Sequence, residues 1–187
     1  MIALLTLLLA NYSAAPGPQN HFTLEVEKTG VMKGKKHVFR FPKYTGTLQY
    51  DAKSPANSKV EFTLDGASMV NEDDWVKESD REKILEWGLN KMIEVKQHPE
   101  IRFVSDRVQV SAPNRFNVSG ALTMRGVSRP AVIAVTMQDQ GRALKLEGIS
   151  TINMKEWGMK PPTAALGAVG TKPEMQVRFQ LFFTPSK

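Results

Sequence analysis

Along most of the chain, apolar and polar residues alternate one for one. Phe22, Leu24 and Val26 share one parity; Phe39 and Phe41, then Tyr44, Gly46, Leu48 and Tyr50, then Val60, Phe62 and Leu64 do the same. Ile101 and Phe103, then Leu144, Leu146, Gly148 and Ile152, and finally Met175, Val177, Phe179, Leu181 and Phe183 repeat the pattern. Residues two apart stand on one face of a strand, so about nine strands, each apolar on one side, are expected. The most explicit pair flanks Arg125 and Gly126. Val118, Gly120, Leu122 and Met124 form one face before this corner, and Ala131, Ile133, Val135 and Met137 form one after it. Glycine takes a left-handed or bulged backbone without steric cost, which suits a tight corner at Gly126. Pro130 has no N–H for a ladder and belongs at a strand start or edge.

One stretch abandons the period of two. Ser79-Asp80-Arg81-Glu82 reads as a capping box, with Ser79 as N-cap and Glu82 reaching back to it. The helix it opens is expected to run to about Lys96, before Pro99 ends it. Leu85, Leu89, Met92 and Ile93 fall on one stripe of that helix, with Trp87 beside it. Asp73, Asp74, Glu78, Asp80, Glu82 and Glu86 are the densest acidic run. They are read as a solvated helix N-terminus favoured by the macrodipole, in preference to a divalent-ion or catalytic carboxylate cluster. The longest irregular segment, Glu156 to Gly170, carries Trp157, Met159 and Leu166, more apolar surface than a solvated loop needs. Many strands, one long helix and no internal repeat make a mainly β fold. An antiparallel barrel with the helix over one opening or side fits best.

Composition narrows the class. The 187 residues suffice for one domain with a sizeable core; hydrophobic residues are 41% and charged residues 24%, both ordinary for a globular chain. The net charge of +6 comes from scattered Lys and Arg. That is a basic surface rather than a nucleic-acid footprint, although it is compatible with transient contact with an anionic membrane surface. The chain has no cysteine, which excludes disulfides, thiol catalysis and Cys-held zinc. Three histidines, His21, His37 and His98, form no metal-ligand spacing, and no nucleophile elbow, phosphate loop or dinucleotide fingerprint appears. No catalytic residue, metal site or cofactor is assigned, and an enzyme is not expected. At the N-terminus, the apolar run Ile2 to Ala10 followed by Ser13, Ala14 and Ala15 has the form of a signal peptide, although no Lys or Arg precedes it. Residues 1–15 are therefore expected to be a cleaved signal, residues 16–20 a linker and residues 21–184 the domain, in a periplasmic or secreted protein.

The wording of several segments goes beyond their pattern. Gly120-Ala121-Leu122-Thr123-Met124-Arg125-Gly126-Val127-Ser128-Arg129-Pro130 resembles the central signature of the YceI-like family, secreted bacterial barrels that bind isoprenoids and lipids. Tyr44-Thr45-Gly46-Thr47-Leu48, the Asp80-Arg81 helix entry, His98-Pro99-Glu100-Ile101-Arg102-Phe103 and the Gly158-Met159-Lys160-Pro161 loop follow the same family's order. The resemblance spans about His21 to Phe183. Departures are visible too: His98 stands where an aromatic is usual, and Trp157 and Met159 replace family residues in the loop. Of a Gly-His-x-His-x-Phe element found in one branch, Gly34-Lys35-Lys36-His37-Val38-Phe39 keeps only the second His. Half of any metal or haem pair is thus missing, and His37 is expected to be a surface or rim residue.

The resemblance implies a lipocalin-like barrel whose interior holds a long isoprenoid or acyl chain. The lipid-contacting residues are then expected to be Phe22, Leu24, Phe39, Phe41, Phe62, Leu64, Phe103, Leu122, Phe179 and Leu181 on the strands. Leu89 and Met92 on the helix and Trp157 in the loop join them. The loop is read as a mouth segment, the competing reading being that Trp157 plugs one barrel end. Parity alone cannot separate a hollow barrel from one filled by these same side chains. Two functions therefore stand: a carrier of an isoprenoid, fatty acid or fatty amide, or a non-catalytic barrel module without exchangeable ligand that supports a membrane redox system. Ligand identity and oligomeric state, a homodimer included, are left open.

Overall fold

The computed structural model describes residues 9–186. Twelve strands and one α-helix follow one another as β1 (Ala10–Ala14), β2 (His21–Gly30), β3 (Lys36–Arg40), β4 (Tyr44–Tyr50), β5 (Lys59–Asp65), β6 (Val70–Asn71), α1 (Glu78–Trp87), β7 (Glu100–Ala112), β8 (Arg115–Met124), β9 (Val127–Asp139), β10 (Leu144–Asn153), β11 (Thr163–Ala164) and β12 (Val169–Pro185). The first six are bent halves of three longer staves. Pro42 interrupts the second stave between β3 and β4, because proline can neither donate to nor continue a ladder. β2 pairs with β3, β1 with β4, β4 with β5 and β3 with β6. From β5 the order continues through β7, β8, β9, β10 and β12, and β12 returns to both β2 and β1. The result is a closed, eight-stave antiparallel barrel with no long free edge.

The faces expected from parity are the faces that point inward. Val118, Met124, Ala131, Val135, Met137, Leu146, Leu181 and Phe183 are all buried, while their sequence neighbours face out. Between β8 and β9, Met124 pairs with Val127, leaving Arg125 (φ 53°) and Gly126 (φ 71°) as the two turn residues. Two successive positive φ angles make the mirror-image turn that matches strand twist, and glycine is the residue that takes it without strain. Pro130 pairs with Ala121 on one side only, since β10 joins β9 from Ala134 onward. It is locally an edge position, as its missing N–H demands.

Three elements differ from expectation. The helix starts at Glu78 with Lys77 as N-cap and no side-chain cap bond, so Ser79 lies inside the first turn and the capping box does not form. The helix continues through a π turn, Gly88–Ile93, and stops where Glu94 turns left-handed. Its stripe is only lightly buried: Ile93 is inside, while Leu85, Leu89 and Met92 are half-buried. Pro16 to Asn20, read as a linker, is a corner of the wall. Asn20 Nδ2 donates to the Ala15 carbonyl, and its Oδ1 accepts from Phe182 N–H (both 2.8 Å). The expected signal segment reaches outside the described residues. Within them Ala10–Ala14 is β1, hydrogen-bonded to β4 and to the end of β12, with Ala14 buried.

Candidate functional site

The inward faces do not meet in the middle. They surround a cavity of about 150 Å³, room for on the order of ten waters. Phe22, Phe62, Leu122, Ile133, Val177 and Phe179 all point inward and line it, yet remain only partly buried. Their residual exposure faces the cavity, since side chains packed on one another would have lost it. A filled core is therefore not what this barrel has.

One side of the wall is aromatic. Phe179, Phe22 and Phe62 stack in succession at 5.9 and 5.4 Å between ring centres, and Tyr44 stacks on Phe62 at 5.2 Å. These residues stand on four neighbouring staves. Gly46 lies beside Phe62 and Gly148 beside Phe179 in the ladder, and a Cβ at either glycine would collide with the ring. Glycine is required there because it lets each ring lie along the wall. The remaining lining mixes aliphatic residues with Phe41, Tyr50, Phe103, Phe116 and Phe183, and its serine hydroxyls are engaged. Ser150 donates to the Val132 carbonyl (2.8 Å), and Ser58 Oγ accepts from Asp51 N–H (3.1 Å). Among the described residues no histidine and no carboxylate lines the cavity.

The two ends differ. At the helix end the lining residues Leu64, Ile101, Met124 and Ile152 are all buried. Below them lie Met154, Trp157 and Met159, also buried, with Trp157 Nε1 donating to the Leu122 carbonyl (3.2 Å). The chain after the π turn docks here too, because Glu94 pairs with Arg125 and His98 packs against Gly126. At the other end the lining includes Tyr50, Pro55, Lys59, Val60 and Val108, and these reach solvent. Tyr50 is held protonated above the ordinary tyrosine range, first by burial and then by Tyr12, Asp139 and Asp51 nearby.

Of the thirteen residues expected to contact lipid, nine line the cavity: Phe22, Leu24, Phe41, Phe62, Leu64, Phe103, Leu122, Phe179 and Leu181. Four do not. Phe39 has the right parity and pairs with the lining residue Leu24, yet it is buried and does not line the cavity. Leu89 and Met92 pack on the outside of the closed end. Trp157 is no mouth residue, since its hydrogen bond and complete burial make it a plug. Residues the pattern did not single out, among them Ile133, Val135 and Val177, complete the wall; their parity was legible, but their depth was not.

His37 also departs from expectation. It is buried, with Nδ1 2.5 Å from Asp73 Oδ2, and Asp73 Oδ1 accepts from Val38 N–H (2.7 Å). Trp75 stacks on the imidazole and donates to the Lys36 carbonyl (2.9 Å). One member of the acidic run is thus a structural acid inside the protein, tying the segment before α1 to β3. Among the described residues no group of three His, Asp or Glu could hold a metal ion.

A closed antiparallel barrel with an apolar interior and one covering helix defines a lipocalin-like barrel fold. The family model of the YceI-like domain matches residues 17–183, and the chain belongs to that family. It is 30% identical over 128 residues to a UPF0312 protein of Pseudomonas savastanoi, covering 65% of this chain and 63% of that one. It is 28% identical over 130 residues to a UPF0312 protein of Pseudomonas putida, covering 66% and 64%. The chain thus spans less than two thirds of the length of these relatives. Among solved structures, BcnA of Burkholderia cenocepacia superposes with a TM-score of 0.69 at 19% identity, covering 87% of this chain and 95% of that one. A polyisoprenoid binding domain from Saccharophagus degradans gives 0.63 at 12% identity, covering 95% and 99%. At these identities the likeness is one of fold.

Proposed function

We propose that this protein carries or sequesters a long hydrophobic ligand, an isoprenoid, fatty acid or fatty amide, inside the barrel. The observation that carries the reading is the cavity itself, walled by inward apolar residues that keep surface free for a partner. Each CH₂ buried there contributes about 0.8 kcal/mol before the cost of ordering the chain. The engaged hydroxyls of Ser58 and Ser150, and a lining without histidine or carboxylate among the described residues, favour a non-catalytic role. The polyisoprenoid binding of the Saccharophagus domain, by its description, is a property of that protein and here supports the class of ligand only.

Extraction of the purified protein with organic solvent, followed by mass spectrometry, tests the proposal. An isoprenoid or acyl lipid recovered in near-stoichiometric amount is the expected result. A protein that neither yields lipid nor takes up added hydrocarbon overturns it.

Export to the periplasm or beyond is part of the same proposal, resting on the apolar run Ile2 to Ala10 and the small residues Ser13, Ala14 and Ala15 after it. A cut after Ala15 would strip β4 of its β1 partner. N-terminal sequencing of exported material distinguishes a start at Pro16 from one that keeps Asn11 to Ala14. Full-length chain confined to the cytoplasm would overturn export.

A further inference from the structure

The cavity has a floor, a depth and an asymmetric mouth, and together these define the ligand more narrowly than its hydrophobicity does. On β8 the wall runs from Phe116 at the open end to Met124 at the floor. Eight residues at 3.3 Å, tilted as barrel strands are, descend roughly 20 Å along the axis. A zigzag of carbon–carbon bonds near 1.5 Å advances about 1.25 Å per carbon, so that depth takes about sixteen carbons. The cavity volume, equal to on the order of ten waters, spread over that depth is a single file and admits one chain. The floor is firm, because Trp157 beneath it is buried and hydrogen-bonded to β8, and the helix end closes over the β8–β9 turn.

At the mouth, Lys59 lines the cavity, is exposed, and makes no ion pair among the described residues. The nearby acids bond to backbone N–H groups rather than to Lys59. Asp51 accepts from Lys53 and Ser54 N–H (both 3.0 Å), and Asp139 accepts from Gly141 N–H (2.8 Å). Asp51 and Asp139 keep their negative charge, but neither pairs with Lys59, which is left without a carboxylate partner among the described residues.

We propose that the cavity takes a single-chain acid of up to about sixteen carbons, tail first, with its anionic head beside Lys59. This rests on the reading of the barrel as a hydrocarbon carrier. A much longer prenyl chain would leave most of its length outside, and a two-chain lipid would not enter.

The test is calorimetric titration of the delipidated protein with octanoic, dodecanoic, hexadecanoic and eicosanoic acids, alongside geraniol, farnesol and geranylgeraniol. Affinity should rise by up to about fourfold per CH₂ and then level off near hexadecanoic acid. An affinity that climbs at the same slope through eicosanoic acid overturns the floor while leaving the carrier reading intact. No binding of any acid or alcohol overturns the carrier reading itself. Met124→Ala should move the plateau to longer acids, and an unmoved plateau in a folded variant would mean that Met124 is not the floor. Lys59→Gln should weaken every acid by a similar factor and leave the prenyl alcohols unchanged. Equal affinity of the acids for Lys59→Gln and the parent would remove the head from this mouth.

Discussion

The two ends of the barrel are built from different materials. At the helix end, large side chains are fully buried and polar groups are paired inside: Trp157 on the Leu122 carbonyl, and Asp73 on His37 and Val38. At the mouth Tyr50, Val60 and Val108 are only partly buried, and the polar bonds gather in the loop around Pro55, where Asp51 accepts from Lys53 and Ser54 N–H. A barrel that must hold a chain cannot use its interior for packing. The stability lost there has to be recovered where the staves converge, and the closed end supplies it. The comparison therefore predicts that substitutions at the closed end cost stability, whereas those at the mouth change what is bound.

The sharpest way to break this comparison is Trp157→Ala. Truncating a fully buried tryptophan that also satisfies a carbonyl should cost about 3–5 kcal/mol. A lower urea midpoint with unchanged slope would report it. The variant that remains folded should still bind hydrocarbon, because Trp157 is not on the cavity wall. A variant of parental stability that has lost binding would return Trp157 to the mouth.

Asp73→Ala comes next. It leaves His37 and the Val38 N–H without their partner in a buried site. Removing one member of such a pair is expected to cost about 3 kcal/mol, much of it desolvation of what remains. Replacing both members by apolar residues, as in His37→Phe with Asp73→Leu, should recover most of the loss in urea unfolding. A double variant as unstable as Asp73→Ala would show that the pair contributes specific interaction beyond satisfying itself.

The same contrast explains what could be read from the sequence. Alternation reports which side of the wall a residue faces, so Phe22, Phe62, Leu122 and Phe179 were legible as inward. It carries no information on height along the barrel axis. Phe39 therefore shared the parity of the cavity residues and yet stays out of the lining, and Trp157, read as a mouth residue, stands at the closed end. Leu89 and Met92 looked like a lid because a helical stripe says that something is covered, not what. The pairing of His37 with Asp73 joins positions 36 apart and gave no local signal. Seen in sequence, Asp73 was one acid among six, all with the composition of a solvated helix start. The turn at Arg125 and Gly126 was legible because its chemistry is local, a positive φ that glycine meets by itself.

The smallest expected effect belongs to the mouth and runs with pH. Burial, aided by Tyr12, Asp139 and Asp51, raises the pKa of Tyr50 in the folded protein. In the unfolded chain the phenol loses its proton near pH 10. Above that pH the native state holds a proton that the unfolded state has released, so stability falls as pH rises until the folded pKa is passed. Tyr44, raised mainly by burial and donating to the Ala15 carbonyl (3.3 Å), adds a contribution of the same sign at the seam with β1. Lys28 opposes both, because burial lowers its pKa and its extra proton in the unfolded state makes stability rise with pH toward its ordinary value. Thermal melts of the parent and Tyr50→Phe from about pH 9 to about pH 11 isolate the first contribution, since Lys28 and Tyr44 are common to both. The parent's melting temperature should fall more steeply than the variant's, while binding of hexadecanoic acid at neutral pH changes little. Parallel curves would mean that Tyr50 is as solvated in the native mouth as in the unfolded chain, and the half-buried rim inferred there would be wrong.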